Sequence, residues 1–380
     1  MEVASKPSLS LREKISLLVR ILIVYPYSLV SFILRNLLVR DRWWFRVKNA
    51  GSRCLTGSMT VKQLQYLFPS TPTVYKKWTR AKGLLSNTEE FPAENDGEVG
   101  ARIMWVGEAW KPGQKLLLYF HGGGYVLSMM KGHLEFLNYV KRTAVDSELK
   151  DSLAIAVLEY TTAPAQKYPF QIREATQALS RLLARGIPPS DITISGDSAG
   201  GHLALSVVSH ILHPRPTIPR LSLDSPLAGL ALLSPATCLS STKASSFQKY
   251  GSIDVLDPAI CQHWTSQLTD NSEFSADLAS GNYWGEAAPA PESWWKGIRS
   301  VAKKMLITAG EEEVLIDDIR VFIKTMEGVF EKEGGSFQLE TLVAKGEVHD
   351  APLMDFIINF KRSETTRRTA EFIVETFRTA

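Results

Sequence analysis

The sequence predicts an α/β fold, a mostly parallel sheet with helices on both faces. From residue 101 onward, short apolar runs alternate with segments of helical periodicity, and two of the runs end in glycine clusters. Runs of this length suit strands buried on both faces. Strand–helix alternation builds a parallel sheet through right-handed crossovers. Ligands of such sheets bind beyond the carboxyl ends of the strands, so the loops there are where function is expected.

The 380 residues are 44% hydrophobic and 22% charged, enough for a large core. A net charge of +3 is too small to suggest a nucleic-acid partner. Cys54, Cys238 and Cys261 are scattered and lack metal-ligand spacing, which argues against a zinc site or a disulfide framework but leaves one bridge open. The chain has no Asn-x-Ser/Thr sequon, which weighs against a secreted glycoprotein.

Residues 1–48 read as a hydrophobic segment set apart from a domain over 49–380. Residues 15–39 are apolar apart from Arg20, Arg35, Asn36, a few serines and a break at Tyr25-Pro26-Tyr27. Much of the excess positive charge sits here (Arg12, Lys14, Arg20, Arg35, Arg40, Arg42, Arg46, Lys48), which points to a membrane surface. On a helix, Arg20 and Arg35 lie about 22 Å apart, short of a bilayer core of about 30 Å unless the arginines snorkel. Arg40-Asp41-Arg42-Trp43-Trp44 resembles an interfacial belt. Three readings stand: a single-pass membrane anchor, a helix lying in the interface, and a helix covering the active-site mouth of a soluble enzyme. A cleaved signal peptide fits less well, because the run is long and no small-x-small site closes it.

Residues 50–95 read as helical, without strand character. Strands are expected at 101–106, 115–120, 153–158, 192–195, 227–233, 304–308 and 337–343, and helices at 134–149, 170–185, 201–212, 317–333 and 364–378. The alternation is interrupted at 50–95 and at 240–297, which read as cap elements or specificity loops. The second holds Trp264, Trp284, Trp294 and Trp295.

Gly196-Asp197-Ser198-Ala199-Gly200-Gly201 carries Gly-x-Ser-x-Gly between an expected strand and an expected helix, the context of a nucleophile elbow. The serine of such an elbow sits on a strained turn, so the residues two before and two after it must be small. His121-Gly122-Gly123-Gly124 follows the strand at 115–120. Acyl transfer passes through an oxyanion, and glycines let backbone N–H groups approach it. The donors expected are Gly123, Gly124 and Ala199, with His121 ordering the loop. The base should lie late in the chain, and His349, just beyond the last expected strand, has that place. His202 and His210 read as packing or surface residues. An acid should follow the strand at 304–308, where Glu311, Glu312, Glu313, Asp317 and Asp318 are all available. Asp317 and Asp318 open a helix and have a capping explanation, which favours an earlier residue.

These motifs together resemble the hormone-sensitive lipase family of α/β-hydrolases over residues 100–375, and within it the arylacetamide deacetylases and fungal steryl acetyl hydrolases, which also carry a hydrophobic N-terminus. The resemblance implies an eight-stranded, mostly parallel sheet with helical caps and an acid in a Gly-x-x-Asp-x-Leu-x-Asp pattern. Gly310 to Asp317 match it with Glu313 in the acid position, a departure from Asp; Asp317 is the alternative acid. Tyr160-Thr161-Thr162-Ala163-Pro164-Ala165 keeps the tyrosine and Ala-Pro of a family Tyr-Arg-Leu-Ala-Pro-Glu stretch but loses its Arg and Glu.

The expectation is a serine esterase or deacetylase acting without metal or organic cofactor on a short acyl ester of a lipophilic alcohol, such as a sterol acetate or an acetylated secondary metabolite. The rivals are an acyltransferase, a lactone or amide hydrolase on the same triad, and a non-catalytic binding protein of the same fold. The expected location is a membrane, with the endoplasmic reticulum considered for a single-pass protein, and the cytoplasm as the alternative. No nucleic-acid partner is expected.

Overall fold

A computed structural model of the chain describes residues 7–36, 43–93, 100–147, 149, 152–240, 244–333, 337–357 and 362–378. Eight strands form one sheet: β1 (Asn87–Phe91), β2 (Ala101–Trp105), β3 (Lys115–Phe120), β4 (Leu153–Glu159), β5 (Ile192–Asp197), β6 (Gly229–Leu233), β7 (Lys304–Gly310) and β8 (Gln338–Ala344). Their order is β1-β2-β4-β3-β5-β6-β7-β8. From β4 to β8 every neighbouring pair is parallel, while β1–β2 and β2–β4 are antiparallel.

The continuous apolar runs have a direct cause. In β3, Leu116, Leu118 and Phe120 enter one core, while Leu117 and Tyr119 enter the other. A strand with apolar contacts on both faces has no polar alternation to show. The first core is closed by the helices Phe170–Ala184, Ala199–Leu212 and Ile316–Glu333, the second by Lys131–Val145 and Glu364–Glu375.

One sequence expectation needs correction. Residues 50–95 do contain a strand: β1, sequence NTEEF, pairs with β2 from Asn87↔Trp105 to Phe91↔Ala101. Asn and Glu are poor strand formers, so composition hides it. The sheet edge supplies its backbone partners, and Arg102 on β2 lies 2.7 Å from Glu90 and 3.1 Å from Glu159, a charge ladder across three strands. Tyr25-Pro26-Tyr27 interrupts the apolar run without breaking the helix. Leu11–Leu34 is helical throughout, and its 18-residue apolar window has a mean hydropathy of 2.1 with only 11% of it buried. A π-helical turn at Arg20–Val24 precedes Pro26. Pro26 then stands in the first turn of the next helical stretch, where its missing N–H costs little.

That helix sits on the body through Glu13, Leu17, Arg20 and Ile21. Arg20 Nη1 donates to the Ser58 carbonyl at 2.5 Å, Lys62 pairs with Glu13 at 2.7 Å, and Leu17 is buried. Leu11, Ile15, Leu18, Leu22, Ile23 and Tyr27 point to solvent. Residues 40–42 of the basic-aromatic belt lie outside the described residues, and a helix Trp43–Gly57 follows.

Segments 50–95 and 240–297 bring helices together over the sheet: Trp43–Gly57, Val61–Leu67 and Thr71–Ala81 from the first, and Ser245–Tyr250, Pro258–Thr269 and Ser272–Ala279 from the second. All three cysteines are free thiols.

Candidate active site

Ser198 stands between β5 and the helix Ala199–Leu212 with φ 50° and ψ −116°, a conformation that side chains rarely adopt. The neighbouring glycines make it attainable. A Cβ on Gly196 would fall 2.4 Å from Gly200 backbone atoms, and one on Gly200 would fall 1.9 Å from the Phe120 carbonyl oxygen. Ser198 N donates to the Leu233 carbonyl at 2.8 Å, tying the turn to β6. Ala199 opens the helix, so its N–H belongs to the first turn, which has no intrahelical acceptor.

The His121–Gly124 loop leaves β3 alongside. Asp197 holds it: its Oδ1 accepts from Gly122 N at 2.9 Å and from the Tyr119 hydroxyl at 2.5 Å, while Oδ2 lies 3.1 Å from His133 Nε2. A Cβ on Gly122 would collide with the Asp197 carboxylate. Gly123 and Gly124 have φ of 109° and 60°, which favours glycine at both. His121 stacks on Tyr160 at 4.4 Å, and the Tyr160 hydroxyl donates to the His121 carbonyl at 2.8 Å. The retained tyrosine of the 160–165 stretch therefore orders this loop. Burial, with His133 nearby, pushes the His121 imidazole down to about 4.

His349 follows β8, and its Nε2 lies 2.9 Å from Ser198 Oγ. Burial works against the imidazolium, but the carboxylates of Glu313, Asp254 and Asp197 outweigh it and raise the His349 pKa. His202, by contrast, is pushed down to about 4 by burial and is spent on the Tyr125 hydroxyl and the Gly285 carbonyl.

The loops after β7 and β8 press together: a Cβ on Gly310 would fall 2.5 Å from the Glu347 carbonyl oxygen. Glu313 Oε2 accepts from Ser234 Oγ at 2.6 Å and from Gly310 N at 3.0 Å, and lies 3.8 Å from His349 Nδ1. That separation is ion-pair range, too long for a hydrogen bond. His349 Nδ1 and Glu313 Oε1 are both buried and both without a hydrogen-bond partner. Asp317, the alternative acid, is occupied elsewhere. It accepts from Ser245 Oγ at 2.7 Å and Ser246 N at 2.9 Å, holding the helix Ser245–Tyr250.

Asp254, from the 240–297 segment, escaped the sequence reading. It accepts from His349 N at 3.0 Å and Val314 N at 2.7 Å, joining the loops that carry His349 and Glu313. Burial, opposed by His349 and reinforced by Glu313, pushes its carboxyl up to about 6. Nothing in Gly251-Ser252-Ile253-Asp254 announces this, because its partners are backbone groups 60 and 95 residues away.

Ser198, His349, Gly123, Gly124 and Ala199 border one cavity of about 150 Å³, otherwise lined largely by apolar side chains from both helical segments, among them Leu55, Phe68, Leu239, Phe247 and Trp264. Of the four tryptophans singled out at 240–297, Trp264 alone lines it. Trp294 stacks on His213, Trp284 packs against Trp294, and Trp295 packs on Phe322.

Comparison with known proteins agrees with this architecture. A family described as steryl acetyl hydrolase matches residues 79–371. An acetyl-hydrolase of Streptomyces hygroscopicus is 28% identical over 57% of this chain and 62% of its own length. The arylacetamide deacetylase of Bos taurus is 28% identical over 35% of this chain and 36% of its own. The chain thus spans less than two thirds of either relative. The crystal structure of carboxyl esterase 2 from Tuber melanosporum superimposes with a TM-score of 0.59 at 19% identity, covering 77% of this chain and 86% of that one, a likeness of fold. The chain belongs to the steryl acetyl hydrolase family and has the α/β-hydrolase fold.

Proposed function

We propose that this member of the steryl acetyl hydrolase family is a serine hydrolase that removes a short acyl group, foremost acetyl, from a lipophilic alcohol. The observation that carries the reading is Ser198 on a strained elbow, 2.9 Å from His349 Nε2, facing a cavity bordered by Gly123, Gly124 and Ala199.

His349 Nε2 takes the Ser198 proton as Oγ attacks the ester carbonyl. The N–H groups of Gly123, Gly124 and Ala199 receive the oxyanion. Glu313 stabilises the imidazolium; closing the 3.8 Å gap between His349 Nδ1 and Glu313 Oε2 gives Nδ1 the partner it lacks. The intermediate collapses, His349 returns the proton to the alkoxide, and the alcohol leaves. Water, deprotonated by His349, then releases the carboxylic acid from Ser198. The size of the cavity supports a short acyl group, since about 150 Å³ holds a fragment of benzene size.

The exposed apolar face of Leu11–Leu34 supports attachment to a membrane. The tie of Arg20 to Ser58, near the middle of the segment, favours a helix lying along the surface over one crossing the bilayer.

Fluorophosphonate labelling tests the nucleophile. We expect the label on Ser198, mapped by peptide, and its loss in Ser198→Ala and His349→Ala. Folded wild type that takes no label moves the protein to the binding-protein class.

A further inference from the structure

The helix Trp43–Gly57 touches both the N-terminal helix and the turn that carries Asp254. Asn49 and Arg53, one helical turn apart, face that turn together. Asn49 Nδ2 donates to the Ile253 carbonyl at 3.2 Å, and Arg53 Nη1 donates to the Asp254 carbonyl at 2.8 Å. Asn49 is fully buried and Arg53 is 6% exposed. The Arg53 guanidinium also lies over the Phe32 ring of the N-terminal helix, 4.4 Å from the ring centre.

A cation taken out of water is costly, and burial pulls the Arg53 pKa down. Among the described residues its guanidinium bonds a carbonyl and a ring face rather than a carboxylate. The aromatic face offsets part of the cost, since a cation over a ring is held more strongly when desolvated. An apolar side chain of similar volume would fill the space without that cost. What it would not supply is the hold on Asp254.

Asp254 is where that hold matters. Arg53 fixes its backbone carbonyl, while its carboxylate accepts from His349 N and Val314 N. A shift of this turn is therefore a shift of the backbone that carries the base. The 2.9 Å contact between His349 Nε2 and Ser198 Oγ depends on that backbone. Misplacing a reacting group by about 1 Å can cost about 10²-fold in rate.

We propose that Arg53 is a positioning residue for the catalytic base: it fixes Asp254, Asp254 fixes the backbone of His349, and Phe32 of the N-terminal helix seats Arg53. Docking of the lipid-facing helix and seating of the base are then coupled. The inference rests on the ester-hydrolase reading with His349 as base.

The test is a double-mutant cycle on p-nitrophenyl acetate hydrolysis, with Arg53→Met and Asp254→Asn alone and together. Each single variant is expected to lower kcat about tenfold or more, with KM within about threefold of wild type. The double variant should lose no more than the larger single loss, because both act through one contact chain. Arg53→Lys, which keeps the charge, should recover part of the Arg53→Met loss. The pH profile gives a readout that packing alone would not move. His349 is faced by the carboxylates of Glu313, Asp254 and Asp197, with Asp350 next in the chain. Asp254 is faced by His349, Glu313, Arg53 and Cys261. Removing the Asp254 charge should move the acid limb of kcat to lower pH. Additive losses in the double variant, an unmoved acid limb in Asp254→Asn, or wild-type kcat in folded Arg53→Met overturns the inference. Should Arg53→Met fail to fold, Phe32→Ala takes its place in the cycle under the same criteria. Wild type inactive on p-nitrophenyl acetate instead overturns the ester-hydrolase reading.

Discussion

The floor and the roof of the cavity are built by different rules. The floor is the set of loops at the carboxyl ends of β3, β5, β7 and β8, where backbone presses on backbone. Gly196, Gly200 and Gly310 each stand where a Cβ would meet a main-chain atom at 2.5 Å or less. The roof is helical, and the glycines of its helix Trp43–Gly57 meet no neighbouring backbone. Gly57 approaches only the flexible end of Ile260 at 3.2 Å, and Gly51 has open space around it. Backbone contact admits few residue types, so the floor writes itself into short motifs. Apolar packing admits many, so the roof leaves only composition behind.

Substitutions that set the two regions against each other sharpen this contrast, and the largest effect belongs to the floor. Ser198→Ala should lower turnover by about 10⁴-fold or more, since triad members act as a unit; turnover near wild type breaks the mechanism. Gly200→Ala should abolish activity and lower Tm, because its Cβ cannot coexist with the Phe120 carbonyl. Gly51→Ala in the roof should leave stability unchanged or raise it by up to about 1 kcal/mol, with Tm moving in the same direction. Equal thermal shifts would erase the distinction.

The acid is the next step down. Glu313→Gln should reduce kcat by about 10²–10⁴-fold, while Asp317→Asn should stay within about threefold of wild type and lose only a loop contact. The pH profile carries an independent sign. His349 must be neutral to act, and its pKa is raised by neighbouring carboxylates, so activity falls as pH drops through that raised value. Removing the Glu313 charge should move the acid limb to lower pH. An unmoved limb, with activity lost instead in Asp317→Asn, would return the role to Asp317.

The smallest effect on chemistry belongs to the outermost part of the roof. Replacing Leu18, Leu22 and Ile23 together with serine should leave p-nitrophenyl acetate hydrolysis within about twofold while abolishing co-flotation with lipid vesicles. Alkaline carbonate should strip the wild-type protein from membranes. Retention after carbonate would mean that the segment crosses the bilayer and that Arg20 has left Ser58.

Legibility follows the same division. Ser198, Gly123, Gly124, Ala199 and His349 could be nominated from the sequence because strand, turn and glycine spacing leave few alternatives at the end of a parallel strand. Glu313 came from its place in a family pattern, since a row of three glutamates gives no local reason to prefer the third. Asp254 was invisible. It sits in an insertion and works through backbone N–H groups brought to it only in the fold. β1 was hidden because the sheet edge and Arg102, rather than strand propensity, hold it.

By itself, then, the sequence determined the α/β alternation and offered the elbow, the oxyanion loop and the base as candidates, all read from local backbone sterics and the order of strands. The tertiary structure decided that Glu313 faces His349 while Asp317 holds a roof helix, and that Asp254 joins two catalytic loops. It also decided which residues of the N-terminal helix dock on the body, Leu17 and Arg20 among them, and which apolar ones stay outside. These are contacts across tens to hundreds of residues, and neither periodicity nor spacing along a chain encodes which distant surfaces will meet.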